Sequence, residues 1–373
     1  MRAVRLSIAS TFFLHAFVSG TWAPRLPAIK AALGLTNGEL GLALAGLAVG
    51  LFAGTRLVGT VVDRVGTRWP LRLGLPLMCA ALMGPALAGD LATLTLAFAL
   101  LGVLAGFLDV TMNANAVAVE RGHERPLMSG FHGGWSAGLV AGSAVGAGAA
   151  ALDVGVTTHF AVVAAVVAAL SLAATRRLLE EQSAPPPALT EHAIWSAPVL
   201  LLGVVAFCSF AGEGSAADWS AVYMRDRIGS TSGLAGLAFV AFSAGMIAAR
   251  FTGDGLTARF GRVTLVRGGG ALAAGGLGLA LAVPQAGAVI GGYLLFGLGL
   301  GPIVPIAFSA AGNLEHARTG SVLAAVVTIG YVGSVLGPVV IGWAAEATSL
   351  RAALVLPVVL ALGIAALAST LRG

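Results

Sequence analysis

Apolar runs of about twenty residues recur along all 373 positions, separated by short polar interruptions. A bilayer's hydrocarbon core is about 30 Å thick, and roughly 20 residues of helix cross it. Helix is the form expected, because in lipid the backbone must hydrogen-bond to itself. Runs of that length predict twelve spans, near 6–27, 38–60, 70–89, 92–118, 127–150, 156–176, 197–220, 233–254, 264–283, 286–311, 320–345 and 352–371. Between the sixth and seventh lies a polar stretch with Arg176, Arg177, Glu180, Glu181 and the run Pro185, Pro186, Pro187. Three consecutive prolines cannot continue a helix. The expected division is therefore an N-terminal six-helix bundle over 1–178, a cytoplasmic linker over 179–196 and a C-terminal six-helix bundle over 197–373. Residues 1–23, with Arg2 and Arg5 ahead of an apolar stretch, read as a retained first helix, because His15 and Ser19 interrupt it and similar segments follow.

Composition narrows the class further. Only 10% of residues are charged and 58% are hydrophobic, where a soluble domain carries about a quarter charged. Such a chain cannot surface a water-exposed globule, so a soluble enzyme and a disordered chain are excluded. The 53 glycines have no strict period of three, which excludes collagen. A pI near 10.0 does not point to nucleic acid, because the basic residues sit in ones and twos between apolar runs. Cys79 and Cys208 both lie inside apolar runs and read as packing residues. With the N-terminus inside, fourteen basic loop residues fall on one face and five on the other (Arg25, Lys30, Arg225, Arg227, Arg351). The positive-inside rule then puts both termini in the cytoplasm, in a multi-pass protein of the cytoplasmic (inner) membrane.

The two halves match each other. A shift of 195 residues pairs Gly34 with Gly229, Gly50 with Gly245, Gly66 with Gly261, Gly102 with Gly297, Gly106 with Gly301 and Gly138 with Gly333. In all, ten of the 23 glycines before position 196 find a partner, where chance predicts about four. An ancient duplication with parallel repeats explains one gapless offset across both halves.

After the second span come Gly59, Asp63, Arg64, Gly66 and Arg68, spaced as G-x-x-x-D-R-x-G-x-R. This resembles the signature of the major facilitator superfamily, at the position where that family carries it. The resemblance covers the whole chain and implies an all-α membrane fold of twelve helices, in two pseudo-symmetric bundles around a central polar cavity. Gly59 permits close helix approach, and Asp63 and Arg64 are placed to clasp neighbouring helix ends. The second copy keeps Arg259 and Gly261 but has Ala258 where the acid would be. Arg250 and Asp254, four apart, read as a local pair at a helix end.

Duplication also filters candidates, since polar residues inside spans that occur in only one half need a reason beyond the shared scaffold. At the 195 shift, Asp109 faces Val304, Asn113 faces Phe308, Asn115 faces Ala310, His132 faces Val327, Glu213 faces Val18 and His15 faces Phe210. Asp109 and Asn113 share one helical face. A carboxylate at mid-membrane costs about 2.5–3.5 kcal/mol on insertion scales unless paired, protonated or wetted, which makes Asp109 and Glu213 candidates for proton coupling. His15, Asn113, Asn115, His132, Trp135 and Ser136 are the candidate contacts of a small polar solute. Trp219 and Tyr223 suit the outer membrane interface. The glycines at 134, 138, 142 and 146 form a four-residue ladder for close helix packing.

The stretch from Gly106 through Asp109, Asn113 and Asn115, with Phe131, Gly133, Gly134 and Gly138 after it, is similar to the fucose:proton symporter branch of the superfamily. That resemblance implies that Asp109 is the fourth-helix carboxylate linked to protonation, with Asn113 its polar neighbour. The chain departs from the branch at the first helix, where Ala23 stands at the position of a second acid; Glu213 or Asp218 is the candidate replacement. The expected activity is secondary active transport of a small polar solute by alternating access, with proton coupling. A monomer in the lipid bilayer is expected, without cofactor, metal or nucleic acid. The rivals are a proton-driven efflux antiporter for amphipathic compounds and a transport-inactive receptor, which is expected to carry a soluble appendage. Gly134, Ser136 and Gly138 also match G-x-S-x-G with His132 one turn before, yet that motif works on a strained strand-to-helix turn that a helix lacks. An enzyme is therefore not expected, and an inert Ser136→Ala beside a transport-dead Asp109→Asn would agree.

Overall fold

The computed structural model of the chain describes residues 2–123, 125–179, 195–314 and 318–371, so most of the expected linker lies outside the described residues. Those residues are mostly helical and include no strand. We label the long helices α1 (Arg2–Thr21), α2 (Asn37–Val65), α3 (Arg68–Ala81), α4 (Leu91–Arg121), α5 (Met128–Ala151) and α6 (Val156–Ala174). The second half supplies α7 (Ala197–Asp226), α8 (Leu237–Phe260), α9 (Arg262–Ala282), α10 in two pieces (Ala286–Leu300 and Ile303–Leu314), α11 (Thr319–Ala347) and α12 (Val355–Leu367). Ten helices or helix pairs among the described residues are long and apolar enough to span a membrane. The places of the fifth and eighth expected spans are taken by α5 and α8, each 24 residues or about 36 Å long. Their lower hydropathy has visible causes, glycines in α5 and Arg250, Asp254 and Arg259 in α8.

Local signals start and stop these helices. Asp90 caps α4 by accepting the Thr93 N–H at 2.8 Å, and Thr93 Oγ1 accepts the Asp90 N–H at 3.1 Å. These bonds to the charged form hold the exposed Asp90 carboxyl below its ordinary pKa. Thr36 and Glu39 form the same reciprocal box at the start of α2. Helices α2 and α8 both end on a left-handed glycine, Gly66 (φ 73°) and Gly261 (φ 79°), a conformation that only glycine adopts cheaply. Pro302 separates the two pieces of α10, as a proline without an N–H must.

The chain forms two compact units: Met1–His123 with Gly134–Leu189 and His316–Ala324, and Glu124–Gly133 with Thr190–Glu315 and Ala325–Gly373. Each unit exposes apolar helix faces, as lipid-facing surfaces do. Val162, Val166 and Leu170 on α6, at four-residue spacing, are more than half exposed in the first. Val355, Val359 and Leu362 on α12 play that part in the second.

Inside the units, glycine lets backbones touch. A Cβ added at Gly50 would strike the Ala99 carbonyl, one at Gly102 the Leu47 carbonyl and one at Gly106 the Leu51 carbonyl, so α2 and α4 pack without side chains between them. In the second unit a Cβ at Gly245 would strike the Leu294 carbonyl, at Gly297 the Phe242 carbonyl and at Gly301 the Met246 carbonyl. Both members of all three contacts are displaced by 195 residues, so the duplicated glycines are duplicated contacts. The glycine ladder of α5 behaves alike: Gly138 meets the Phe13 carbonyl and Gly142 that of Phe17, while Gly333 meets the Phe207 carbonyl and Gly337 lies on Ala211.

That last comparison corrects the register of the first helix. Because Phe207 and Ala211 are the counterparts of Phe13 and Phe17, α1 and α7 are related by 194 residues rather than 195. His15 thus corresponds to Ser209 and Glu213 to Ser19, not to Phe210 and Val18. The glycine pattern missed the slip, since none of the shift-matched glycines lies on α1.

Candidate functional site

Two carboxylates grip helix starts. In the first unit Asp63, at the end of α2, accepts the N–H of Gly320 at 2.9 Å, the N–H of Ser321 at 3.1 Å and the Ser321 hydroxyl. Gly59, one turn earlier, lies against the Ser321 backbone, and Arg121 Nη2 donates to Thr319 Oγ1 at 2.9 Å. Free N–H groups and a partial positive charge make a helix start an acceptor of carboxylates. Arg64 is exposed, and Arg68 opens α3 half-buried. In the second unit Asp254 accepts the N–H of Ser129 at 2.9 Å and of Gly130 at 2.8 Å, at the start of α5. The acid that Ala258 lacks is thus supplied one turn earlier on α8. Asp254, which its spacing marks as a local partner of Arg250, also accepts two backbone N–H groups from another helix. Arg259 lies over the Phe260 ring at 5.1 Å, beside the turn glycine Gly261.

The first unit also encloses a neutral and an acidic group. His15 on α1 accepts the Trp135 Nε1–H at its Nδ1 (3.2 Å) and faces the Ala105 carbonyl with Nε2 (3.2 Å). That pair of partners selects the neutral Nε2–H tautomer, with both ring nitrogens satisfied. On α4, Asp109 is 8% exposed, and the fully buried Asn113 donates from Nδ2 to its backbone carbonyl at 2.8 Å and to Oδ1 at 3.3 Å. Asn115, two residues on and so on another face, donates to Thr67 Oγ1 at 2.7 Å and to the Leu179 carbonyl at 3.3 Å. Ser136 is buried one turn after His132 on α5, and the division between the compact units falls between them.

The second unit holds an ion pair. Arg250 Nη2 lies 3.4 Å and 3.5 Å from the two Glu213 carboxylate oxygens, and its Nε donates to the Gly301 carbonyl at 3.4 Å. The Arg250 side chain is 5% exposed and that of Glu213 21%. Around them runs a chain of rings: His132 stands edge-on to Phe308 at 5.8 Å, Phe308 is 6.5 Å from Phe210, and Phe210 is 5.5 Å from Tyr331. The charge of Arg250 also acts on His132. Sequence reasoning singled out Glu213 and His132 but not Arg250 as their neighbour, nor the three aromatic side chains. A lone arginine in the middle of an apolar span, in the same half as a lone glutamate, was the available signal.

Asp218 is exposed near the far end of α7. Tyr223, expected at the membrane interface, is wholly buried, with its hydroxyl 3.5 Å from the Ala280 carbonyl. Among the described residues no three His, Cys, Asp or Glu side chains gather as metal ligands do. A cavity of about 570 Å³ beside α1, α5 and α6, lined by Phe13, Leu14, Gly134 and Leu170, is apolar and holds none of the ionisable candidates.

A helical membrane chain built twice over, with carboxylates on helix starts and ionisable groups enclosed in each unit, has the architecture of a solute transporter. The chain belongs to the Major Facilitator Superfamily, whose family model matches residues 8–338 and 202–373. It is 34% identical over 353 residues to an uncharacterized MFS-type transporter of Yersinia pestis, covering 94% of this chain and 91% of that one. With the membrane protein MosC of Rhizobium meliloti it shares 30% identity over 353 residues, covering 93% and 85%. Among solved structures it is similar to FucP, a fucose:proton symporter, in the outward conformation, with a TM-score of 0.84 over 99% of this chain and 98% of that one. Sequence identity there is 16%, so this likeness is one of fold. The family and these relatives make the chain a multi-pass membrane transporter and not an enzyme.

Proposed function

We propose that the protein carries a small polar solute across the cytoplasmic membrane by alternating access, drawing on a proton gradient. The observation that carries this reading is Asp109, a carboxylate 8% exposed on an apolar helix, to which the Asn113 amide is bonded along the same face. Holding an ionised carboxylate there costs energy that a proton removes, so its protonation can be tied to a change of conformation. Glu213 is the second proton-coupling residue in this reading. His15, Asn113, Asn115, His132, Trp135 and Ser136 are the solute contacts, and of these Asn115 already holds α3 and α4 together through Thr67. The carboxylates at 63 and 254 serve as gates that release the starts of α11 and α5 once per cycle. FucP, a structural neighbour, is a proton symporter by name, which agrees with proton coupling. Both termini face the cytoplasm on the count of basic loop residues, and the protein works as a monomer in lipid.

The test is flux into proteoliposomes under an imposed pH gradient. Asp109→Asn is expected to abolish gradient-driven accumulation while leaving solute exchange. Accumulation unchanged in that variant would refute the role of Asp109, and an absence of proton movement with any transported solute would refute coupling. The ring chain from His132 to Tyr331 favours a second reading, in which an amphipathic compound is exported in exchange for protons.

A further inference from the structure

The second unit's ion pair is loosely made. Charge-assisted bonds between guanidinium and carboxylate settle near 2.7–2.9 Å, whereas Glu213 sits 3.4–3.5 Å from Arg250. A buried ion pair recovers the cost of leaving water only when its geometry is good. Arg250 is nearly enclosed and Glu213 is four times as exposed, so the carboxylate is the partner that a competitor can replace. The surroundings then describe the competitor. One end of the site is a guanidinium that binds planar carboxylates through two N–H groups. The other is apolar and aromatic, with Phe210, Phe308 and Tyr331 in a row.

We propose that the solute is a small organic carboxylate with an apolar or ring-bearing body, whose carboxylate takes the place of Glu213 on Arg250 while Glu213 accepts one proton. This rests on the transport reading above and deepens it by naming the substrate class. The charge count explains why the two events go together. Glu213 and Arg250 sum to zero, and so do protonated Glu213, Arg250 and a bound carboxylate. Binding the anion alone, or the proton alone, leaves a net charge in a site of low dielectric, which is costly. The carboxylate and the proton therefore enter as an electroneutral pair.

The neighbouring groups bear on this exchange. On α8, Asp254 lies one turn from Arg250 and accepts the Ser129 and Gly130 N–H groups. From α5 comes His132, and from α11 Tyr331 beside Phe210. On α7 itself Asp218 is exposed, five residues beyond Glu213. The first piece of α10 adds Tyr293, and neither the second piece of α10 nor α12 carries an acidic or basic side chain. Among the described residues of the unit, Arg250 is the cation paired with Glu213.

The experiment uses the full chain in detergent with benzoate, phenylacetate and lactate, each against its amide. Thermal stability and proton uptake in weakly buffered solution are read together. The expected result is stabilisation by a carboxylate but not by its amide, with about one proton taken up per anion bound. Glu213→Gln removes the competitor and is expected to tighten carboxylate binding roughly tenfold and to abolish the proton uptake. Arg250→Gln is expected to lose binding. Because that variant leaves a partly buried acid unpaired, the pair Glu213→Gln with Arg250→Gln serves as the folded control and is also expected not to bind. Equal stabilisation by amides, weaker binding in Glu213→Gln, binding retained without Arg250, or no response to any of the three carboxylates overturns the proposal. Proton-driven flux of a neutral solute with no carboxylate binding would overturn this inference and leave the transport reading standing. Carboxylate binding with proton uptake but no flux would do the reverse.

Discussion

Asp254 offers a direct test of the helix-start clamp. Asp254→Ala removes the acceptor of two N–H groups, Ser129 at 2.9 Å and Gly130 at 2.8 Å, in the first turn of α5. Loss of an N-terminal cap costs about 0.5–2 kcal/mol. Hydrogen bonds to a charged group contribute about 1.5–3 kcal/mol each, though water reaching the opened turn recovers part of that. A net loss of about 2–3 kcal/mol for local opening follows, which is roughly 30–150-fold faster amide exchange at those residues. Hydrogen–deuterium exchange of peptides covering the start of α5 measures this. Asp254→Asn keeps one acceptor oxygen without the charge and is expected to fall between the alanine variant and the wild type. The matching Asp63→Ala should accelerate exchange at Gly320 and Ser321, since Asp63 accepts three bonds there. Wild-type exchange at Ser129 and Gly130 in Asp254→Ala would show that the clamp holds nothing, and equal effects of the alanine and asparagine variants would remove the charge from the explanation.

Other expectations follow from contacts described above. Gly102→Ala pushes a Cβ onto the Leu47 carbonyl and should lower thermal stability by about 1–3 kcal/mol, whereas Gly275→Ala, with open space around it inside α9, should leave the melting temperature unchanged or raise it. Trp135→Phe deletes the donor to His15 Nδ1; a loss of about 1 kcal/mol is expected in denaturant titration, and NMR of the labelled imidazole should show an altered tautomer balance. Asp90 has a depressed folded-state pKa, so its cap on α4 is fully effective above the ordinary aspartate value of about 3.9 and fades as pH falls through the folded value. Asp90→Ala should therefore destabilise at neutral pH, and the gap from wild type should close on acidification; a gap that stays constant with pH would assign the effect to something other than the carboxylate.

The helices were legible because hydrophobic span length is a local property. Glycine periodicity was legible as well, and Gly50, Gly102 and Gly106 with their partners 195 residues on became backbone contacts repeated in each unit. The Asp109 and Asn113 pair was readable from four-residue spacing on one helix. Partners on different helices were not readable. Spacing pairs Arg250 with Asp254, four residues away, and nothing local points from Arg250 to Glu213 on α7. Likewise the 194-residue relation of α1 and α7 hid behind a 195-residue shift that holds elsewhere, because one missing residue in a loop leaves every apolar run intact.

By itself, then, the amino-acid order determined an all-helical membrane protein, its duplication and its few intramembrane ionisable residues, since each follows from composition or spacing within single segments. Tertiary structure decided which of those residues meet. One turn of helix, about 5.4 Å, separates an acid at position 258 from one at 254, and only the packing of α8 against the start of α5 shows that the second reaches the backbone N–H groups. The same holds for Arg250 and Glu213, whose meeting depends on the depth and rotation of two separate helices. Those quantities are set by glycine contacts between helices and are not written in either helix alone.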